Sequence, residues 1–561
     1  MVKLPWWIPQ ERNVPETKEE IDSAYKNRKV EDVVIIREYR DEAKRPWWKF
    51  FDEFEYRKDV PKWSWLGTGA SPQERKLLLK LDAHIVIYAM LGYWIKFLDT
   101  ANLTNAYVSG MKEDVGMFGN DLIDTQVLFQ VAAILFGLPL MYLIPRYPTT
   151  YILFISELVW SLFTLVTFAT PNVPALKGFR FMVGGFEAAY FPIIHYTLSN
   201  YYKPSEISSR ASIFYCGQYL GVLTAGLLQS VIYDTLNGVH GLQGWKWMFI
   251  IDGILSFTVA FLGLFLMPGT PFKCYSIILS DDDIKLCRKR MRENGTDGGE
   301  DLTNFLDWPT WKKMLQSWHF WIMSIAGIGG FNANNTTMGS FALWLKSENR
   351  FSIGKLNQLT AIPPALGIVY VIFTCFGADI TQKRFLMVIF AQLMNLIGCV
   401  ILTVWDVAPA AKWFAFYFGY WSWAQSSVFY PILNDILRHD ANLKAIEWQA
   451  NYLIGQQSYA WISRIIWPTT DAPRFKNGFL VAGLMGMIQA VFMAIGYFFY
   501  KRDERSRAAS EGIVVYNSAK GELHPATNIN SGSDSEEIND EKHLEKVAVS
   551  ETKSDQLNTT H

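Results

Sequence analysis

Residues 83–111 read AHIVIYAMLGYWIKFLDTANLTNAYVSGM. The stretch begins as an apolar run long enough to cross a bilayer, which takes about 20 residues of helix. Toward its far end Lys96, Asp99, Asn102, Thr104 and Asn105 fall within about three helical turns. Charge at that depth is costly in hydrocarbon, so such residues face a water-filled cavity or pair with one another. Lys96 stands three positions from Asp99 and four from Thr100, which gives one helix face a cation, an anion and a hydroxyl. That face is a candidate substrate and ion site, and the rest of the chain reads as its enclosure.

Working outward, about twelve segments of spanning length follow one another. They centre on 81–101, 123–144, 149–169, 175–198, 210–232, 246–267, 318–344, 357–378, 385–404, 411–434, 443–466 and 478–500. The expected fold is an all-α membrane protein in which twelve transmembrane helices form two six-helix bundles, 77–267 and 318–500. A charged central loop, 268–317, separates them. Such a layout suits two bundles that rock about a midplane site. Residues 1–76 read as a cytosolic arm, partly disordered or lying on headgroups, and 501–561 as a disordered, acidic, Ser-rich cytosolic tail. Basic residues crowd alternate loops, which places both termini in the cytosol.

Composition narrows the function. Half of the 561 residues are hydrophobic and the formal net charge is −1, so nothing recommends a nucleic-acid partner. The lipid bilayer is the expected surrounding and a monomer the expected working unit. The five cysteines lie in apolar runs or in the central loop, the pattern of free thiols. No G-x-x-x-x-G-K-[ST] phosphate loop couples the chain to ATP, and no His/Cys cluster has metal-ligand spacing. No nucleophile–base pair points to an enzyme. No cofactor is expected, with protons as the coupling ion.

The fourth segment contains RFMVGGFEAAYFP (180–192). Arg180 and Glu187 are seven apart, two turns along one face. A carboxyl group in a low-dielectric helix holds a proton more readily than one in water. Glu187 is therefore the first candidate proton carrier, with Arg180 as the charge that adjusts it. The competing reading is a permanent interhelical ion pair. Asp99 has the same two readings, as a second proton site or as the fixed partner of Lys96 or Arg180. Lys96, about a turn inside the segment, is the candidate cation for a substrate carboxylate. Gly184 and Gly185 make a small-residue face explained by helix packing alone.

The seventh segment carries GGFNANNTTMGSFALW (329–344), whose Asn332 and Asn335 offer amides that both donate and accept. Gln425 and Gln456 on the tenth and eleventh segments, with Tyr190, complete an expected apolar pocket with a few polar anchors. Glue between helices explains the same residues equally well. Arg464 reads as a gate residue, a substrate cation or an interface arginine.

LDTANLTNAYVSGMKED (98–114), RFMVGGFEAAYFP (180–192) and NGVHGLQGWKWMFIIDG (237–253) resemble the allantoate permease family of fungal anion:cation symporters, within the major facilitator superfamily. GADITQKRF (377–385) is similar to that superfamily's loop motif, while LMYLIPRYP (140–148) keeps a basic residue and lacks the motif acid. The resemblance implies alternating access and proton-driven uptake of a small organic anion across the plasma membrane. A vitamin such as biotin is the first expectation. Pantothenate, allantoate or a sulfur-containing amino-acid derivative are alternatives, as is a nutrient sensor on the same fold. By motif match it places Asp99 and Glu187 at the positions tied to proton coupling. Many relatives follow the first acid with Arg, where this chain has Thr100; Lys96, one turn earlier, stands in as the cation.

Overall fold

Ser71 starts the first pass. Its hydroxyl accepts from the Glu74 amide at 3.2 Å while the Glu74 carboxylate accepts from the Ser71 amide at 2.9 Å. These bonds satisfy donors that a helix start leaves open, and Pro72 sits where a missing amide costs nothing. From there the chain runs helically over Pro72–Val115. The computed structural model describes residues 8–26, 65–66, 70–144, 146–293, 308–334, 339–381, 383–437 and 441–510.

Among the described residues the helices group into twelve passes. Pass 1 is followed by pass 2 (Asp121–Leu143), pass 3 (Thr149–Ala169), pass 4 (Val173–Glu187 and Tyr190–Tyr201), pass 5 (Pro204–Leu236) and pass 6 (Gly244–Leu266). The second six are pass 7 (Trp318–Asn332 and Ser340–Ser347), pass 8 (Ile353–Thr360 and Ile362–Thr381) and pass 9 (Arg384–Val404). Pass 10 (Pro409–Phe418, Trp421–Ala424 and Ser426–Ile436), pass 11 (Ala441–Ile466) and pass 12 (Lys476–Ser510) complete the set. Seven passes hold a stretch long and apolar enough to cross a membrane. Passes 4, 7, 8 and 10 are divided into shorter helices, in pass 8 at Ala361. Pass 4 divides where Pro192 has no amide to offer the Ala188 carbonyl.

Large apolar side chains left exposed fall in seven-residue steps, as in Ile155 and Leu162, Ile254 and Phe261, Leu393 and Val400, and Leu484 and Val491. A step of seven is two turns, so each pair marks one outward stripe on a helix whose other faces are packed. An apolar outer face on a closed helical bundle suits hydrocarbon as the surrounding medium. Passes 2 and 4 cross closely at Gly184, where a β-carbon would stand 2.2 Å from the Phe129 carbonyl oxygen. The sequence reading of that glycine as a packing residue agrees with this contact.

Residues 268–288 of the central loop pack against the first half. Ser280 and Asp283 cap a helix over Asp281–Glu293, and Asp283 also takes the Lys80 ammonium at 2.5 Å. Arg12 donates to Ser276 and Leu279 carbonyls and pairs with Asp281, while Arg288 donates to the Val14 carbonyl at 2.8 Å. Contacts divide the chain into two units, of which Met1–Val14, Trp63–Arg288 and Gly298–Tyr497 hold the passes described so far. The other comprises Pro15–Lys62, Lys289–Asp297 and Phe498–His561. Within it Arg292 grips Glu16 through two bonds of 2.8 and 2.9 Å. All five cysteines are free thiols, as the sequence implied.

Candidate functional site

Pass 1 carries its polar residues into the interior of the first half. Asp99 and Arg180 meet there at 3.1 Å, and both are buried. Thr164 on pass 3 donates to the second Asp99 oxygen at 3.1 Å. Glu187, the last residue before the break in pass 4, lies 3.4 Å from the Lys96 ammonium. Among the described residues neither Glu187 oxygen accepts a well-aligned hydrogen bond. Arg180 thus serves Asp99, and the partner of Glu187 is Lys96.

Two further acids belong to this interior and escaped the sequence reading. Asp252 on pass 6 accepts a 2.6 Å bond from Asn102 and neighbours both Asp99 and Arg180. Glu157 on pass 3 accepts the Tyr88 hydroxyl proton at 2.6 Å. Each lies in an otherwise apolar run (FIIDG, ISELVW), and an isolated acid in such a run was the available signal. Lys96, Asp99, Arg180, Glu187 and Asp252 make one cluster of three carboxyl groups and two cations. Charge balance in a medium that solvates ions poorly calls for one proton on that cluster.

A cavity adjoins the cluster between the two halves. It is lined from the first half by Phe97, Thr100, Ala101, Thr104 and Asn105, and from the second by residues that include Ser340, Thr360, Tyr420 and Trp423. Its space is about 730 Å³, counting the part open to solvent. None of its lining side chains is charged. Thr100 lines the cavity, and its hydroxyl donates to the main-chain carbonyl of Lys96 one turn back on the same helix at 3.0 Å. Across the cavity the Phe97 and Trp423 rings meet edge to face at 5.3 Å between centroids.

Both ends of the passage are crossed by contacts between the halves. At the end holding residues 237–243, Asn357 donates to Ser109 at 3.0 Å, and Arg464 pairs with Asp124. Arg464 thus links passes 11 and 2. At the opposite end Phe191 stacks on Tyr452 at 4.8 Å and on Trp448 at 5.8 Å.

Other residues expected on the substrate face are held elsewhere. Asn102 is committed to Asp252. Tyr190 donates to the Ala89 carbonyl at 2.9 Å and is buried between passes 4 and 1. Asn332 donates to Ser458 at 2.8 Å, Gln425 accepts from Gln489 at 2.9 Å, and Gln456 donates to Tyr452 at 2.9 Å. None of these lines the cavity, where Thr100 alone of the expected set appears. Asn335 lies outside the described residues.

Twelve helical passes in two halves with a small cavity between them are the build of a membrane carrier of small solutes. Residues 89–445 match the model of the Major Facilitator Superfamily, and the chain belongs to that superfamily of transporters. It is 44% identical over 501 residues to the vitamin H transporter of Saccharomyces cerevisiae, covering 87% of this chain and 84% of the relative. The pantothenate transporter of Schizosaccharomyces pombe is 31% identical over 447 residues, 78% of this chain and 84% of that one. Among solved structures the proton:xylose symporter XylE superposes with a TM-score of 0.58 at 16% identity, over 73% of this chain and 94% of the other. That likeness concerns the fold.

Proposed function

We propose that the protein is a proton-coupled symporter that imports a small organic carboxylate, with biotin as the first substrate and pantothenate as the competing one. The names of the two relatives support the substrate class. The observation that carries the coupling is the Lys96–Glu187 pair at 3.4 Å, one helical turn along pass 1 from the cavity-lining Thr100. An incoming carboxylate competes with Glu187 for the Lys96 ammonium. Once displaced, Glu187 is a buried carboxylate without a partner, which is costly in low dielectric. Taking up a proton removes that cost, so anion and proton load together. Asp99, held by Arg180, keeps the second cation in place and is the further proton-coupling candidate.

On this reading the carrier sits in the plasma membrane as a monomer with both termini cytosolic. The cavity's hydroxyl, amide and aromatic groups hold the neutral part of the substrate. Uptake of labelled biotin and pantothenate into proteoliposomes, with and without an inward proton gradient, tests the proposal. Glu187→Gln should abolish gradient-driven accumulation while leaving counterflow measurable, and Lys96→Ala should raise the apparent KM. Accumulation by Glu187→Gln equal to wild type would overturn the coupling.

A further inference from the structure

The second half contains a buried acid that transport as described above does not use. Glu447 lies in the first two turns of pass 11, with its side chain sealed. His319 Nδ1 on pass 7 donates to Glu447 Oε1 at 2.7 Å and stands 3.1 Å from Ser317 Oγ. The other Glu447 oxygen has no hydrogen-bond partner among the described residues. The pair begins a polar seam between the two passes. Ser324 donates to Asn451 at 3.1 Å further along, and Asn332 donates to Ser458 at 2.8 Å beyond that.

We propose that His319 and Glu447 form a proton-holding latch that closes this end of the passage. The pair holds one proton. With it, imidazolium faces carboxylate and the site is neutral overall. Without it, a neutral imidazole faces a buried carboxylate whose second oxygen is unpartnered, a costly arrangement unless water enters. Loss of the proton therefore loosens passes 7 and 11 at this end.

The latch adjoins the aromatic contact that joins passes 4 and 11 at this end. Trp448 follows Glu447, Tyr452 lies one turn on, and both rings stack on Phe191 of pass 4. Movement of this part of pass 11 displaces those rings. Few other charges reach the pair. Among the described residues His319 is the one charge acting on Glu447. The helix before pass 7 carries Lys312 and Lys313, both exposed. Asp435 on pass 10 is paired with Arg384, and Asp124 on pass 2 with Arg464 at the far end.

Hydrogen exchange of the full-length protein in lipid nanodiscs, corrected for intrinsic rates, is compared at about pH 5.5 and about pH 7.5. Peptides covering 441–456 should exchange about fivefold faster or more at the higher pH, while peptides from passes 3 and 6 do not change. Glu447→Gln cannot leave a buried carboxylate, so its exchange should stay slow at both pH values. The double variant Glu447→Gln/His319→Gln should likewise show no pH step. A pH step that persists in either folded variant, or its absence from the wild type, would overturn the proposal.

Discussion

Arg180 on pass 4 and Asp99 on pass 1 face each other at 3.1 Å inside the first half, both closed to solvent. Removing one partner of such a pair strands the other charge, at a cost of about 3–5 kcal/mol. Arg180→Gln should therefore lower the thermal midpoint sharply in detergent. Arg180→Lys should recover only part of it, because an ammonium is a point charge without the planar guanidinium fork. An unchanged midpoint in Arg180→Gln would show that the pair does not hold the bundle together.

Asp252 is the surplus carboxyl of the cluster. Asp252→Asn removes an acid without stranding a cation and keeps a polar group beside Asn102. Its midpoint at neutral pH should stay close to wild type, in contrast to Arg180→Gln. A fall as large as that of Arg180→Gln would mean that Asp252 is a required counter-charge.

How the charges pair was not legible in the sequence, although their presence was. A lone Asp, Glu, Lys or Arg in an apolar run stands out, so Asp99, Lys96, Arg180 and Glu187 were visible. Which acid meets which base depends on how passes 1 and 4 turn toward each other. The seven-residue spacing suggested Arg180 beside Glu187 and left Asp99 with Lys96 or Arg180; the helix rotation gives Arg180 to Asp99 and Glu187 to Lys96. Polar uncharged residues were harder still. Asn332, Gln425 and Gln456 read the same whether they line a cavity or join helices; in the structure Asn332 and Gln425 join helices through Ser458 and Gln489, while Gln456 bonds Tyr452 on its own helix. The apolar segments were plain because hydrocarbon demands about 20 residues wherever a helix crosses.

Gly339 has φ of +67°, and a β-carbon there would stand 2.2 Å from Thr104 Cγ2 across the interface between the halves. A methyl group at this point costs about 1–3 kcal/mol through overpacking, beyond the strain of the left-handed backbone. Gly339→Ala should slow transport turnover about tenfold, since 1.4 kcal/mol is one decade in rate. Adding Thr104→Ala should restore part of the rate by emptying the contested space. Full activity of Gly339→Ala alone would place the limiting step elsewhere.

Outside the membrane, Asp283 sits on the central loop against Lys80. Partial burial pushes its acidity the other way, but the Lys80 ammonium and the Ser280 donors outweigh it and hold the carboxyl below its ordinary range. A depressed value means the contact stabilises the fold fully above the ordinary carboxylate range, near pH 4, and is lost as pH falls through the lower folded value. Limited proteolysis at the central loop should therefore be constant from about pH 5 upward in the wild type. Asp283→Asn should be cut faster throughout that range, and equal cutting would show that Lys80 does not anchor the loop.

Proton uptake on substrate binding tests the coupling most directly. Purified protein in weakly buffered detergent solution, mixed with biotin near neutral pH, should take up about one proton per substrate bound, because the carboxylate displaces Glu187 from Lys96. Glu187→Gln should bind biotin with no proton uptake. Binding by the wild type without proton uptake, or uptake that survives in Glu187→Gln, would contradict the account.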